Sequence, residues 1–426
     1  MRVRVRVRVR VSVPVQLGAC CHRSTAPRGT QGPALPTELD LVILGGGCAG
    51  LSLALRLAEL PGRCRRVSVL ESRPLYRHDR SWCFWRVGPH RYEPLVKRSW
   101  SQVTLRSAGQ AVQVDCTRTP YQLLEAGAFY DHACETMAAS AAVRLNLGVT
   151  VLGPPRPVPG GWRIETSAGG LTAAQVIDTR PPSAPRRGDA LLWQSFLGEE
   201  VVCDRAVFDP HRVDLMDFAH DLSGAVAFTY VLPLASNRAL IETTLFDPQP
   251  HGPAALAQRQ QQALRRLCGD ARVRVVRTEA GILPMGIVRP AHQPAAPGRG
   301  LWHAGLMSGA ARPATGYAFQ RIQRWADSCS TAMRTGRDPV GHAPDPLLTR
   351  LMDRLFLDVL RHHPERGPEL FTRLFGRAAT PRIVRFLSDR GTFADRVAVA
   401  ASLPTGLFLR QLVRSVPRGA VGAASA

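Results

Sequence analysis

The clearest hydrophobic pattern in the chain begins at Asp40. Residues 41–44 are a short apolar run, residues 51–57 have leucine at every second position in a stretch that favours a helix, and residues 66–71 include a second apolar run. Short apolar runs are typical of buried strands. The pattern therefore predicts a strand, a turn, a helix and a second strand, which together make one βαβ unit.

The same signals predict further elements downstream, where the chain alternates between apolar runs and turn residues. Towards the C-terminus, the spacing of leucine and phenylalanine predicts mainly helices. Strands are expected at residues 175–178, 225–234 and 238–246, the last two joined by a turn, and a strand, loop and helix are expected over residues 301–325.

Three glycines separate the first strand from the helix in the pattern G-x-G-x-x-G: Gly45, Gly47 and Gly50. The first permits the tight turn, the second lets a pyrophosphate approach the backbone, and the third allows close packing of the helix. Glu71 ends the second strand, where an acid accepts hydrogen bonds from an adenosine ribose. The glycine triplet, taken with its flanking strands, the helix and Glu71, predicts a dinucleotide site rather than a glycine-rich surface turn.

A second glycine-rich segment lies near residues 305–317 and includes Gly305, Thr315 and Gly316. The triplet alone does not distinguish FAD from NAD. A long cofactor with a ring system needs a late return of the chain to cover its pyrophosphate and flavin, so this segment favours FAD. An ordinary loop in which Thr315 caps the following helix is the alternative.

The predicted fold class is α/β, with a Rossmann-type FAD-binding lobe of three layers (ββα), a mixed-sheet substrate lobe and a helical C-terminal region. Residues 1–38 begin with an Arg-Val alternation and are excluded from the fold as a disordered basic leader or a mis-assigned start. The predicted domains are 40–190 for the first part of the FAD-binding lobe, 191–285 for the substrate lobe, 286–330 for the return to the FAD-binding lobe, and 340–415 for the helical region.

The chain of 426 residues has a net charge of +22, and Lys97 is its only lysine. Basic proteins are attracted to nucleic acids and to anionic membranes. The arginines are scattered, and no helix-turn-helix, zinc finger or stacking platform is recognisable, so no nucleic-acid partner is expected. Ten cysteines at irregular spacing indicate reduced thiols rather than zinc ligands, and no metal site is expected.

Several motifs, taken in their order along the chain, resemble the bacterial lycopene β-cyclase family. The resemblance extends over about residues 40–412, and the combination is more specific than any one motif. The motifs are the glycine turn at 41–51, SWCFW at 81–85, YVLPL at 230–234, IETT at 241–244, GILPMG at 281–286, ATGY at 314–317 and IVRFL at 383–387.

This resemblance implies cyclisation of lycopene or a related linear carotenoid to β-rings, with non-covalent FAD kept reduced by NAD(P)H and no net redox change. It also implies a peripheral position at the cytoplasmic face of the membrane. No apolar stretch is long enough to span a bilayer. The apolar residues within 396–410 are either a membrane contact or ordinary core.

The family resemblance further implies that Glu242 is the acid/base residue, with Thr243 in place of the family's usual second acid. Cyclisation needs an acid that protonates a terminal alkene, a dry pocket and a negative charge near the resulting cation. Desolvation on an apolar strand would raise the pKa of Glu242 and keep it protonated. The alternative is a solvent-facing residue on an alternating strand.

Two other functions are compatible with these features. An FAD-dependent hydroxylase or isoprenoid reductase shares the cofactor lobe, but it would consume NAD(P)H in proportion to its product. A non-catalytic carotenoid- or membrane-binding protein would retain the fold and need no proton donor, and the presence of Glu242 argues against it.

Overall fold

The computed structural model describes residues 38–60, 66–107, 109–181, 185–218, 224–288 and 300–415. The predicted leader lies outside these residues, apart from Glu38, which begins the first strand.

The strands within the described residues are β1 (Glu38–Leu44), β2 (Val67–Glu71), β3 (Ser81–Trp85), β4 (Val96–Trp100), β5 (Gln102–Ser107), β6 (Gln110–Asp115), β7 (Tyr121–Glu125), β8 (Val143–Leu147), β9 (Arg156–Val158), β10 (Gly161–Thr166), β11 (Gly169–Asp178), β12 (Ala190–Cys203), β13 (Arg212–Asp217), β14 (Val226–Ala235), β15 (Arg238–Asp247), β16 (Val273–Ile287) and β17 (Leu301–His303). The α-helices are α1 (Cys48–Ala58), α2 (Ala126–Ala138), α3 (Pro253–Cys268), α4 (Phe319–Arg334), α5 (Leu347–His362), α6 (Gly367–Arg377), α7 (Thr380–Leu387), α8 (Phe393–Ser402) and α9 (Thr405–Ser415).

The first sheet is built around the predicted βαβ unit. Strand β1 lies between β2 and β11 and is parallel to both, while β8 and β17 extend the parallel set on either side. Strands β9 and β10 continue from β11 as antiparallel neighbours. Leu41 and Ile43 of β1 share a core with Leu51 of α1, Phe129 of α2 and Trp325 of α4. The predicted α/β class with a Rossmann-type lobe is confirmed.

A second sheet has the order β16-β12-β15-β14-β13-β5-β6, and a small third sheet has the order β3-β7-β4. Residues 40–190 are predicted as the first part of the FAD-binding lobe, but within them β5 and β6 belong to the second sheet. Strand β5 pairs in parallel with β13, more than a hundred residues further along the chain. Hydrophobic periodicity identifies strands but not their partners, so the sequence could not reveal that β5 pairs with β13.

The C-terminal helices cover one face of the second sheet. Leu240 and Phe246 of β15 share a core with Phe371 and Leu374 of α6 and with Ile383 of α7. These helices begin and end near helix-breaking residues: Pro346 precedes α5, and Pro404 precedes α9. Among the described residues, no helix combines the length and the apolar character needed to cross a membrane.

Candidate active site

The glycine turn between β1 and α1 leaves its backbone accessible. Gly45 has a φ of +95°, and a Cβ on Gly50 would lie 2.0 Å from the carbonyl oxygen of Gly45. Gly47 is the N-cap of α1, and no side chain accepts a hydrogen bond from the N–H groups of the first turn. The first turn also has no acidic residue. A Cβ at Gly47 would meet no atom within 4 Å. The first turn therefore has N–H groups without a side-chain cap and open space beside Gly47, which suits an anionic phosphate.

Glu71 is bound to the same turn. Its Oε2 accepts a hydrogen bond of 2.8 Å from the N–H of Gly46, and its Oε1 accepts one of 2.8 Å from the N–H of Arg73. Burial alone would raise the pKa of Glu71, but the hydrogen bonds and charge of Arg73 together with the Gly46 bond lower it below its usual value. Glu71 is thus an ionised acceptor beside the turn, as an adenosine ribose requires.

The second glycine-rich segment extends from this turn to the second sheet. Gly305 has a φ of +92°, and a Cβ there would lie 3.7 Å from that of Ala49 in α1. Its N–H donates to His342 Nε2 at 3.0 Å. Gly316, in contrast, lies against the second sheet, where a Cβ would be 2.8 Å from Oε1 of Gln194. The predicted cofactor residues therefore lie at two places joined by one segment.

Thr315 is not the cap of a helix. Its Oγ1 accepts a hydrogen bond of 3.2 Å from the N–H of Tyr317, and the residue that precedes α4 is Ala318, which has no capping side chain. The expected alternative for Thr315 is therefore wrong, because the turn at residues 312–317 ends before the helix begins. Nearby, Oε1 of Gln194 is buried and has no hydrogen-bond partner in the described structure. This unsatisfied acceptor next to Gly316 fits a ligand that has an N–H group.

Four residues form a row across the second sheet. Tyr230 of β14 is paired in register with Glu242 of β15, Glu242 with Gly198 of β12, and Gly198 with Glu279 of β16. Residues paired in register point to the same face of a sheet. A Cβ on Gly198 would lie 3.2 Å from Cγ of Glu279 and 3.4 Å from Cβ of Glu242. The two glutamates thus share the space above a residue without a side chain.

Glu242 is partly buried, and its carboxyl receives a hydrogen bond of 2.9 Å on Oε1 from Thr244 Oγ1. Burial raises the pKa of Glu242 to about 8, the neighbouring charge of Glu279 adds to the rise, and the hydrogen bond from Thr244 opposes it. A carboxyl with this pKa is largely protonated at neutral pH. Glu242 can therefore act as a general acid.

Glu279 is buried, but it has polar partners. Ser81 Oγ donates to Glu279 Oε2 at 3.0 Å, Arg277 Nη1 donates to the same oxygen, and Arg277 Nη2 donates to Ser81 Oγ at 3.0 Å. Burial raises the pKa of Glu279, and the contacts with Arg277 and Ser81 oppose that rise. Of the two carboxyls, Glu279 is the one with a guanidinium partner.

Thr243 faces the other side of the sheet. Its N–H and its Oγ1 both donate to Oε1 of Gln260 in α3, at 3.1 and 2.8 Å. A side chain at position 243 therefore contacts α3, whereas Glu242 points to the face that carries Tyr230 and Phe246. The second carboxyl near Glu242 comes from β16 and not from the next residue of its own strand.

Buried uncharged side chains, among them a phenol and a thiol, lie near Glu242. Burial raises the pKa of the Tyr230 phenol and of the Cys83 thiol well above their usual values, and it raises the pKa of Tyr317 to about 12. All three groups are therefore neutral. Tyr230 and Tyr317 also line a cavity of about 240 Å³ between the second sheet and the C-terminal helices. The rest of its wall is mostly apolar and includes Met352, Phe356, Phe371, Phe375, Leu403 and Phe408.

The family model described as lycopene cyclase protein matches residues 40–412. The chain belongs to the lycopene cyclase family. The comparison with curated proteins gave no match. The matched residues include nearly all of the three sheets and of the C-terminal helices, so the glycine turn, the Glu242 row and the cavity all lie within them.

Solved structures share the fold of this lycopene cyclase family member. A flavin-dependent brominase matches with a TM-score of 0.59 and 12% identity, over 89% of this chain and 100% of that one. A geranylgeranyl bacteriochlorophyll reductase-like protein from Thermoplasma acidophilum gives 0.55 and 12%, over 88% and 99%. The flavin-dependent monooxygenase PieE, solved with FAD and substrate, gives 0.54 and 13%, over 88% and 72%.

Three residues that contribute to this geometry are missing from the sequence-based candidates: Gly198, Glu279 and Gln194. Glu279 lies two residues before the GILPMG motif, but no local pattern distinguishes it from an exposed strand glutamate. Its importance depends on β12 lying between β15 and β16, which is a long-range pairing. Within the described ranges, no three His, Cys, Asp or Glu side chains are grouped so as to hold a metal ion.

Proposed function

We propose that this chain is a lycopene β-cyclase that uses Glu242 as its general acid. The observation that carries the proposal is a carboxyl with a pKa of about 8 beside an apolar cavity, in a chain of the lycopene cyclase family. The substrate is lycopene or a related linear carotenoid, and the products are γ- and β-carotene.

The reaction begins with transfer of a proton from Glu242 to the terminal alkene of one ψ-end. Thr244 binds Oε1, so Oε2 is the oxygen that carries this proton. The resulting tertiary cation is attacked by the neighbouring double bond, which closes the ring. Loss of a ring proton to a carboxylate of the site then leaves the β-ring double bond, and no proton is gained or lost overall.

The protein protects the cation in two ways. Apolar side chains of the cavity exclude water that would otherwise trap the cation as an alcohol. Aromatic rings along the cavity wall, including those of Tyr230 and Phe371, present faces that attract a positive charge. Tyr230, whose phenol is neutral, lines the cavity and is paired in register with Glu242.

FAD is the proposed cofactor, held non-covalently. Gly45, Gly47, Gly50, Glu71 and Gly305 would hold its adenosine diphosphate portion, and Thr315 and Gly316 would approach its ring system, with Gln194 available for an N–H group. When bound and reduced, FAD would supply a negative charge near the cation. NAD(P)H is the proposed reductant.

We also propose peripheral contact with the cytoplasmic face of a membrane, where carotenoids dissolve. Within residues 396–410, Val399 and Leu407 are buried in the core, and Val397 and Leu409 are exposed. The helices that line the cavity therefore also present apolar surface. The large apolar side chains at least half exposed on these helices are Leu347, Leu351, Phe393, Val397, Leu409, Leu412 and Val413.

A flotation assay with liposomes tests the membrane contact. The double variant Phe393→Ser with Val397→Ser is expected to float less than the parent protein, because it loses apolar surface that enters the interface. Leu152→Ser is the matched control, since Leu152 is 65% exposed but lies far from these helices in the chain. Equal flotation of all three proteins would contradict the proposed contact surface.

The activity is tested with purified, FAD-loaded protein, lycopene in liposomes and NADPH without oxygen. Formation of γ- or β-carotene with far less than one NADPH oxidised per ring supports cyclisation. One NADPH oxidised per product molecule would indicate an isoprenoid reductase, and a hydroxylated product that appears when oxygen is admitted would indicate a hydroxylase. Lycopene that binds and stays unchanged would indicate a non-catalytic carotenoid-binding protein.

A further inference from the structure

The two glutamates above Gly198 form an asymmetric pair. Both lie on strands that flank β12, and a Cβ on Gly198 would contact both side chains, so no side chain of β12 separates them. Glu279 is 3% exposed and has hydrogen bonds from Arg277 and Ser81. Glu242 has one hydrogen bond, from a neutral hydroxyl. Two carboxyls this close cannot both ionise easily, so one proton is shared unequally between them.

We propose that Glu279 is a positioning residue for the acid: its carboxylate, held in place by Arg277 and Ser81, keeps the proton of the pair on Glu242. This inference rests on the proposed function for its role in catalysis, because Glu242 is there assigned as the acid. The electrostatic coupling itself does not depend on any substrate.

Other groups near the pair do not explain the asymmetry. Cys83 of β3, Tyr121 of β7, Tyr230 of β14 and Tyr317 are all neutral, because burial raises the pKa of each. The cations are Arg277, which binds Glu279 directly, and Arg80, whose charge acts on Glu279. Glu200, on β12, pairs with Arg277 and Arg238. The positive charges thus lie on the Glu279 side of the pair.

The proton balance of the pair matches the reaction. Before the reaction, the pair holds one proton, on Glu242. Once that proton has formed the new C–H bond, both carboxyls are ionised and the substrate carries the positive charge. The ring proton released at the end restores the single proton of the pair.

The test is an infrared titration of the FAD-loaded protein. The band of the protonated Glu242 carboxyl is identified by its absence in Glu242→Gln and is followed against pH. In Glu279→Gln, the midpoint of this band is expected to move down by about one pH unit or more, a tenfold fall in proton affinity, because the neighbouring negative charge is gone. Glu279→Asp is expected to keep most of the shift. An unchanged midpoint in Glu279→Gln would overturn the proposal.

The rate of cyclisation gives a second readout. Glu279→Gln is expected to stay within about threefold of the parent at low pH and to lose about tenfold near pH 9. An equal loss at all pH values indicates a structural role only and would overturn the proposal. Glu199→Gln is the matched control, because Glu199 is on the same strand as Gly198 but near Gln260 on the opposite face. If the parent protein does not cyclise lycopene, the proposed function fails, while the infrared titration still decides the coupling.

Discussion

Glu242 and Thr243 are adjacent in sequence but lie on opposite faces of the second sheet. Glu242 is paired with Tyr230, which lines the apolar cavity, whereas Thr243 is bound to Gln260 of α3. The alternation of side chains along a strand makes this separation unavoidable. A carboxyl at position 243 could therefore not share a proton with Glu242, whatever its role in other members of the family.

Thr243→Val tests this separation. The variant loses the hydrogen bond from Oγ1 to Gln260 but keeps the one from the backbone N–H, so we expect the free energy of unfolding to fall by about 1 kcal/mol. The rate of cyclisation is expected to stay within about twofold of the parent, since nothing changes on the Glu242 face. Urea denaturation and a lycopene conversion assay measure the two quantities. A loss of turnover far larger than the loss of folded protein would show that the two faces are coupled.

The glycine turn offers a matched pair of substitutions. Gly47→Ala is expected to fold normally, because a Cβ there meets no atom within 4 Å, but to bind FAD at least about tenfold more weakly because the methyl group occupies space at the phosphates. Gly50→Ala is expected to destabilise the protein with or without FAD, since its Cβ would lie 2.0 Å from the carbonyl oxygen of Gly45. Thermal unfolding and flavin titration separate the two effects. Normal FAD affinity in Gly47→Ala would place the phosphates elsewhere.

The pH dependence of cyclisation reports on the acid. Glu242 acts only when protonated, and its pKa is about 8, so we expect full activity below this pH and a fall of about tenfold per pH unit above it. The measurement is the initial rate between pH 6 and pH 10 with saturating reduced FAD. A rate that rises through this range would mean that an ionised group, acting as a base, limits the reaction.

The raised pKa of Glu242 also makes the free energy of unfolding depend on pH. Its pKa is raised in the folded state from 4.5 to about 8, so the folded protein binds more protons than the unfolded chain in this range and becomes less stable as the pH rises. Glu242→Gln removes the ionisation, and we expect its free energy of unfolding to exceed that of the parent by about 4 kcal/mol at pH 8. The difference is expected to disappear near pH 4.5. A Glu242→Gln variant that is less stable than the parent at pH 8 would contradict the raised pKa.

Local patterns were enough to predict the first βαβ unit and the hairpin of the second sheet. The G-x-G-x-x-G turn, its flanking strands and the hairpin of β14 and β15 are encoded by short-range spacing, and the structure has them where the sequence predicts them. The position of β5 in the second sheet was not predictable in this way, because nothing in residues 102–107 specifies β13 as the partner.

The residues of the candidate site likewise fall into a group set by a local motif and a group set by long-range strand pairing. Gly45, Gly47, Gly50 and Glu71 belong to one local motif, and the structure places them together. Glu279 reaches Glu242 only because β12 lies between their strands and has glycine at the crossing point. That relationship depends on three strands from distant parts of the chain, so it became visible only in the folded protein.

Pigment analysis of a lycopene-accumulating bacterium that expresses this chain tests both the activity and the role of Glu242. We expect γ- or β-carotene from the parent and from Glu199→Gln, and unchanged lycopene from a Glu242→Gln variant that is soluble and flavin-loaded. Unchanged lycopene from the soluble, flavin-loaded parent would contradict the proposed activity. Equal conversion by the parent and by Glu242→Gln would contradict the assignment of the acid.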